Sequence, residues 1–204
     1  MLTTRRRSLI KSALLVSSAY AAVPARAAQT FDFRSSSAGK AQRYPRLVLA
    51  GGQTGVDQSS QRAAMDSGIL CAGWCPPGRI CESGTIPSMF PLVETPVERS
   101  PDAPDVPRSL RTQWNARDSD ATLILTPGSN YKTDPGTDWT SVAAKYYRKP
   151  VYMVDPYSAS AKEAITDWIY INQIHVLNCA GPSEKTSPGI SQRVTELMGE
   201  VFSV

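Results

Sequence analysis

The chain has 204 residues, 41% of them hydrophobic, with 22 basic and 18 acidic side chains and a single histidine. That length suits one domain with a substantial core, and one histidine excludes a multi-histidine metal site. The formal charge of +4 belongs to the N-terminus: losing residues 1–27 removes Arg5, Arg6, Arg7, Lys11 and Arg26 but no acid, which turns the balance to −1. The remainder has no basic run that argues for nucleic acid.

Residues 1–27 read as a cleavable signal, with a basic start, an apolar stretch from about Ser12 to Val23 and a small-x-small site at Ala25-Arg26-Ala27. The apolar stretch is too short to span a membrane, and no later segment has the roughly 18 consecutive apolar residues that a span needs. Arg6-Arg7-Ser8-Leu9-Ile10-Lys11 fits the bacterial twin-arginine pattern, although Arg5 replaces the usual Ser or Thr. An ordinary secretory signal with extra charge is the alternative. The expectation is export by the twin-arginine machinery to the periplasm, a route that carries folded proteins and permits a ligand to be loaded before export. Residues 28–45 read as a polar, flexible tether, and 46–204 as the folded domain.

Within that domain short apolar runs alternate with helical patterns. Strands are predicted at Leu47–Ala50, Ile69–Trp74, Ala121–Leu125, Val151–Val154 and Ile174–Asn178, and helices at Gly55 to about Ser67, Thr137–Tyr147, Ser160 to about Asn172 and Gly189–Phe202. Between them lies a long irregular stretch, Cys75 to about Arg108, with eight prolines. A stretch of that length in a compact domain is usually functional or mobile. The alternation predicts an α/β, Rossmann-like three-layer sandwich on a mainly parallel sheet of about five strands. Ligands of such sheets sit beyond the carboxyl ends of the strands.

The first such end carries Ala50-Gly51-Gly52-Gln53-Thr54-Gly55-Val56-Asp57. Gly51 and Gly52 permit a sharp turn, Gly55 permits close approach of a ligand, and the first helical amides attract an anion. Neither common glycine template for phosphate is matched. Thr54 to Asp57 also reads as a capping box, in which both side chains are spent on the helix start.

Four further segments accompany this turn: Gly73-Trp74-Cys75-Pro76-Pro77-Gly78-Arg79; Glu82-Ser83-Gly84-Thr85-Ile86-Pro87 with Phe90-Pro91-Leu92; Trp114 to Leu125; and Leu177-Asn178-Cys179-Ala180-Gly181-Pro182 with Ser187-Pro188-Gly189-Ile190. In that order they resemble the molybdenum carrier family, the circularly permuted YpsA-type branch of the SLOG superfamily, over about Leu47 to Val204. The resemblance implies a Rossmann-like fold and a nucleotide-derived or phosphorylated ligand, with molybdenum cofactor, a phosphorylated pterin, among the candidates. It implies a site lined by Gly51, Gly52, Gln53, Thr54, Gly55 and Asp57, with Cys75, Pro76, Gly78 and Arg79. Arg117, Asp118 and Ser119 precede the third strand, and Gly136 and Thr137 open a helix as a second anion cradle. Arg79 is the expected phosphate ligand, and Asp57 or Asp118 the acceptor for ribose, pterin or guanidine-like donors. Related proteins often assemble through helix faces, which implies a homo-oligomer.

This chain departs from the family in two places. The turn after the third strand keeps only Pro135-Gly136-Thr137, and the glutamate that phosphoribohydrolases of the wider superfamily carry three residues later is Thr140. A binding or carrier protein without catalytic residues is therefore expected; the alternative is a nucleotide or nucleoside hydrolase using Asp57 or Asp118 as general base.

The remaining readings are structural. His175 is expected in the core, Trp114 as a packing anchor, Asp120 as a cap for the following strand, and Cys179 as a buried thiol. Cys71, Cys75 and Cys81 lack zinc spacing; an exported chain suggests a Cys75–Cys81 disulfide, with a Cys75 thiolate facing a ligand or soft metal as the other possibility.

Overall fold

A computed structural model describes residues 44–128 and 135–203. The signal, almost all of the tether, and most of the turn between Gly128 and Pro135 lie outside the described residues. Of the stretch read as a tether, Pro45 is buried and Tyr44 packs against the main core.

Five strands form one sheet: β1 (Leu47–Leu49), β2 (Leu70–Ala72), β3 (Ala121–Leu125), β4 (Val151–Val154) and β5 (Val176–Ala180), in spatial order β2-β1-β5-β3-β4. Every pairing is parallel, with Leu47 opposite both Leu70 and Val176, and Thr122 opposite both Val151 and Asn178. The helices are α1 (Val56–Asp66), α2 (Ser109–Asp118), α3 (Pro135–Tyr146), α4 (Ala161–Ile171) and α5 (Ile190–Phe202). Helices α1, α4 and α5 share the larger core with Val48, Leu123, Leu125 and Leu177. On the opposite face α2 and α3 meet through Ala116, Ala143 and Ala144. The chain is thus the predicted three-layer α/β sandwich.

Strand β3 shows why the pattern was readable. All five of its residues are buried, as a parallel strand covered on both faces requires, so it reads as a nearly continuous apolar run. The pair at Thr122 and Asn178 is the polar exception, closed by Asn178 Nδ2 donating to Thr122 Oγ1 at 3.1 Å. No helix among the described residues is long and apolar enough to cross a membrane.

Three features differ from the sequence reading. Helix α2 was not foreseen, because its buried side chains include Ser109, Thr112, Gln113 and Asn115 and give almost no apolar period. Strand β5 starts two residues late, so His175 is exposed in the turn before it rather than in the core. Asp120 holds that turn, its Oδ2 accepting from the amides of His175 at 3.0 Å and Val176 at 2.9 Å. All four cysteines carry free thiols. Cys75 and Cys81 lie instead in a small apolar cluster with Ile86, Phe90 and Leu92.

Candidate functional site

The turn after β1 leads into α1 at the carboxyl edge of the sheet. Gly55 precedes the helix with φ 80° and no side chain caps the start, so the expected capping box is not formed. Thr54 turns its hydroxyl away, to donate to Glu82 Oε1. Asp57 keeps only its half of the arrangement: Oδ2 accepts from the Gln53 amide at 3.2 Å.

The same oxygen accepts from Arg111 Nη1 at 2.9 Å, and the Gly51 backbone also bonds to the carboxyl group. Asp57 is 3% exposed. Burial, its largest influence, raises the carboxyl group above its ordinary value, against the pull of Arg111 and the Gln53 amide, while Glu82 adds to the rise. The glycine turn therefore already holds an acidic side chain of its own. Gly51 is what lets the arginine in: a Cβ there would stand 2.0 Å from Arg111 Nη1 and 2.7 Å from its Cδ.

Around this pair the first turn of α2 completes a network. Arg108, in the left-handed conformation before the helix, donates to Gln53 Oε1 and lies 3.7 Å from Glu82 Oε2. Gln53 Nε2 donates to the Ile80 carbonyl at 3.3 Å. Two arginines from α2 thus face Asp57 and Glu82 across the turn. Arg108, Arg111 and Glu82 escaped the sequence reading as site residues. Glu82 stood within a quoted motif, and the three-residue spacing of the arginines had meaning only once a helix was known to begin between them.

The network forms one wall of an open cleft of about 560 Å³, lined by Thr54, Gly55, Gln58, Ser59, Arg62, Glu82, Ser83, Phe90, Glu184, Lys185, Ser191 and Thr195. Glu184 is committed to the start of α5, accepting from the amides of Gly189 and Ser191; its bonds to Ser191 and Gly189 draw its carboxyl group below the ordinary value.

The expected site residues divide into three groups. Thr54 and Gly55 line the cleft, and Gly51, Gly52, Gln53 and Asp57 lie directly behind it. Gly55 is pressed by the chain rather than open to a ligand, since a Cβ there would stand 2.4 Å from the Pro182 carbonyl oxygen.

The second group, Cys75, Pro76, Gly78 and Arg79, builds the loop behind the cleft and does not line it. Cys75 is fully buried, which pushes its thiol above the ordinary value, with Arg79 pulling the other way; a neutral thiol is a poor metal ligand. Burial likewise drives Cys71 up to about 11 and Cys179 to about 12. Arg79 is occupied as a clamp, Nη1 donating to the Leu92 carbonyl at 2.9 Å and Nη2 to those of Pro87 at 3.1 Å and Phe90 at 2.9 Å. Arg79→Met is therefore expected to cost about 1–3 kcal/mol, and to speed amide exchange at Ile86, Phe90 and Leu92. Unchanged exchange there would contradict the clamp.

Of the third group, Arg117, Asp118 and Ser119 are not brought to the turn. Helix α2 starts beside Gln53 and runs back to the amino edge, so Arg117, Asp118 and Ser119 end there, before β3. Asp118 accepts from Trp74 Nε1 at 2.7 Å and pairs with Arg117 at 2.6 Å, and Ser119 bonds back to Ala116. Trp114 packs edge-on to Trp74, with centroids 4.7 Å apart. Gly136 and Thr137 lie in the first turn of α3, which Trp139 Nε1 ties to the start of α2 by donating to the Ser109 carbonyl at 3.0 Å. No group of three or more potential metal ligands occurs among the described residues.

A parallel sheet with a cleft on its carboxyl edge, opened by a glycine turn into the first helix, defines a Rossmann-like ligand-binding module. Residues 48–202 match the circularly permutated YpsA SLOG family, and the chain belongs to that family. It is similar to the crystal structure of a "Putative molybdenum carrier protein" from Syntrophus aciditrophicus SB, with 33% identity, a TM-score of 0.68, and coverage of 78% of this chain and 96% of that one. Comparison with curated proteins gave no match.

Proposed function

We propose that this protein is a carrier that binds a nucleotide-derived or phosphorylated small ligand in the carboxyl-edge cleft and returns it unchanged. The observation that carries this reading is the cleft itself, about 560 Å³ and lined by hydroxyls, carboxylates and two cationic side chains. That volume falls in the ordinary range for small-ligand sites. Phosphorylated pterin cargo of the molybdenum cofactor type is the first candidate, supported by the name of the similar bacterial protein.

The hydrolase alternative has less support. Asp57 is committed to Arg111 and backbone amides, Asp118 to Trp74 and Arg117, and Thr140 returns its hydroxyl to the Gly136 carbonyl at 2.9 Å. Export by the twin-arginine route to the periplasm belongs to the same proposal, because it would let a ligand loaded in the cell leave with the folded protein.

Native mass spectrometry of protein from a twin-arginine-competent host, followed by denaturation and metal analysis, tests the reading. A phosphorylated ligand released intact at one per chain is expected. Protein that arrives empty and binds no phosphorylated compound would overturn it.

A further inference from the structure

The cleft holds two carboxylates in different states. Both oxygens of Glu184 accept backbone amides at the start of α5. Glu82 is half satisfied: Oε1 receives the Thr54 hydroxyl, but Oε2 is buried without a hydrogen-bond partner. Arg108 Nη1, 3.7 Å away, attracts it as a charge but lies beyond hydrogen-bond distance. A buried acceptor left open in this way is costly, and an ionised carboxylate can only accept.

The cations of the cleft are also uncommitted. Among the described residues neither Arg62 nor Lys185 has a carboxylate partner, and Arg62 reaches only Met89 Sδ, at 3.1 Å. Meanwhile the anion position of the glycine turn is taken by Asp57.

From this arrangement we propose that Glu82 is the specificity residue of the site, its carboxylate turning out of this buried position to receive a pair of N–H or O–H donors from the ligand, while the ligand's phosphate lies at the rim on Lys185 and Arg62. The inference rests on the carrier reading and fixes the direction in which the ligand lies. Its donor-bearing part goes inward against the glycine turn; its phosphate stays outward. Two chemistries supply such a donor pair: the 2-amino-4-oxopyrimidine edge shared by guanine and pterins, and the vicinal diol of a ribose.

Calorimetric titration of the full chain with guanosine monophosphate, adenosine monophosphate, guanosine, ribose 5-phosphate and inorganic phosphate tests the orientation. Glu82→Gln keeps the shape but turns an amide donor toward the ligand's donors, so it is expected to weaken guanosine monophosphate at least about tenfold and leave inorganic phosphate unchanged. Lys185→Ala, at an exposed side chain, is expected to weaken the monophosphate and spare guanosine. Binding of the guanine nucleotide alone assigns the donors to the ring edge; equal binding of all three phosphorylated sugars assigns them to the diol. Glu82→Gln protein that melts and binds guanosine monophosphate like the wild type overturns the orientation and leaves the carrier reading standing. Wild-type protein that binds none of the five probes and releases nothing on denaturation overturns both.

Discussion

Asp57→Ala is expected to lower the unfolding free energy by about 3–5 kcal/mol, because it strands a buried guanidinium. Among the described residues Arg111, with a side chain only 15% exposed, has Asp57 as its one ion-pair partner, and its Nε is already without a hydrogen bond. The Gln53 amide loses its acceptor as well. Removing both charges is gentler than removing one, so adding Arg111→Met is expected to restore part of the loss. Chemical denaturation of the single and double variants measures this, and a double variant less stable than the sum of the two single losses would contradict the pairing.

The same residue sets a pH dependence whose sign follows from its surroundings. Burial raises the Asp57 carboxyl group above its ordinary value of 3.8, so the folded protein holds this proton more tightly than the unfolded chain. Its contribution to stability is complete below the ordinary value and is lost as pH rises through the folded-state value. Asp57→Asn has no proton to lose. As pH rises above that ordinary value the wild type should therefore lose stability relative to Asp57→Asn; a constant difference there would show that burial does not dominate.

Gly55→Ala is the second large effect, expected to cost at least about 3 kcal/mol. At φ 80° and ψ −128° the backbone is in a region that side-chain-bearing residues rarely adopt. The added carbon would also meet backbone atoms, the Pro182 oxygen at 2.4 Å and the Glu184 nitrogen at 2.7 Å. Those belong to the loop after β5, so relief of the clash must move it away from α1 and break the bond from the Val56 amide to the Pro182 carbonyl. Gly51→Ala makes a useful contrast, because its clash is with the end of a flexible arginine. A smaller loss of thermal stability at Gly55 than at Gly51 would contradict this account.

The sheet was legible in the sequence because burial on both faces turns β1, β3 and β5 into apolar runs, and the glycine turn because it follows one of them. Helix α2 was illegible for the opposite reason: it packs through serine, threonine, glutamine and asparagine, whose partners are distant in the chain, such as Trp74 for Asn115. Much of the site was hidden with it. Arg111 reaches Asp57 across 54 positions, and no local pattern announces such a contact. Arg79 illustrates the converse, since a basic residue in a glycine-proline loop has the look of an anion ligand. Only the folded path of residues 87–92 shows that three carbonyls occupy it.

The place of β5 bears on when this protein can fold. Residues 176–180 form the middle strand, lying between β1 on one side and β3 on the other. A nascent chain that stops before them contains β1-β2 and β3-β4 as two parallel pairs with no strand between them. The contacts that close the sheet are long-range, so they form slowly, and only after nearly the whole chain has left the ribosome. Whatever precedes Tyr44 is synthesised well before there is a fold for it to be attached to.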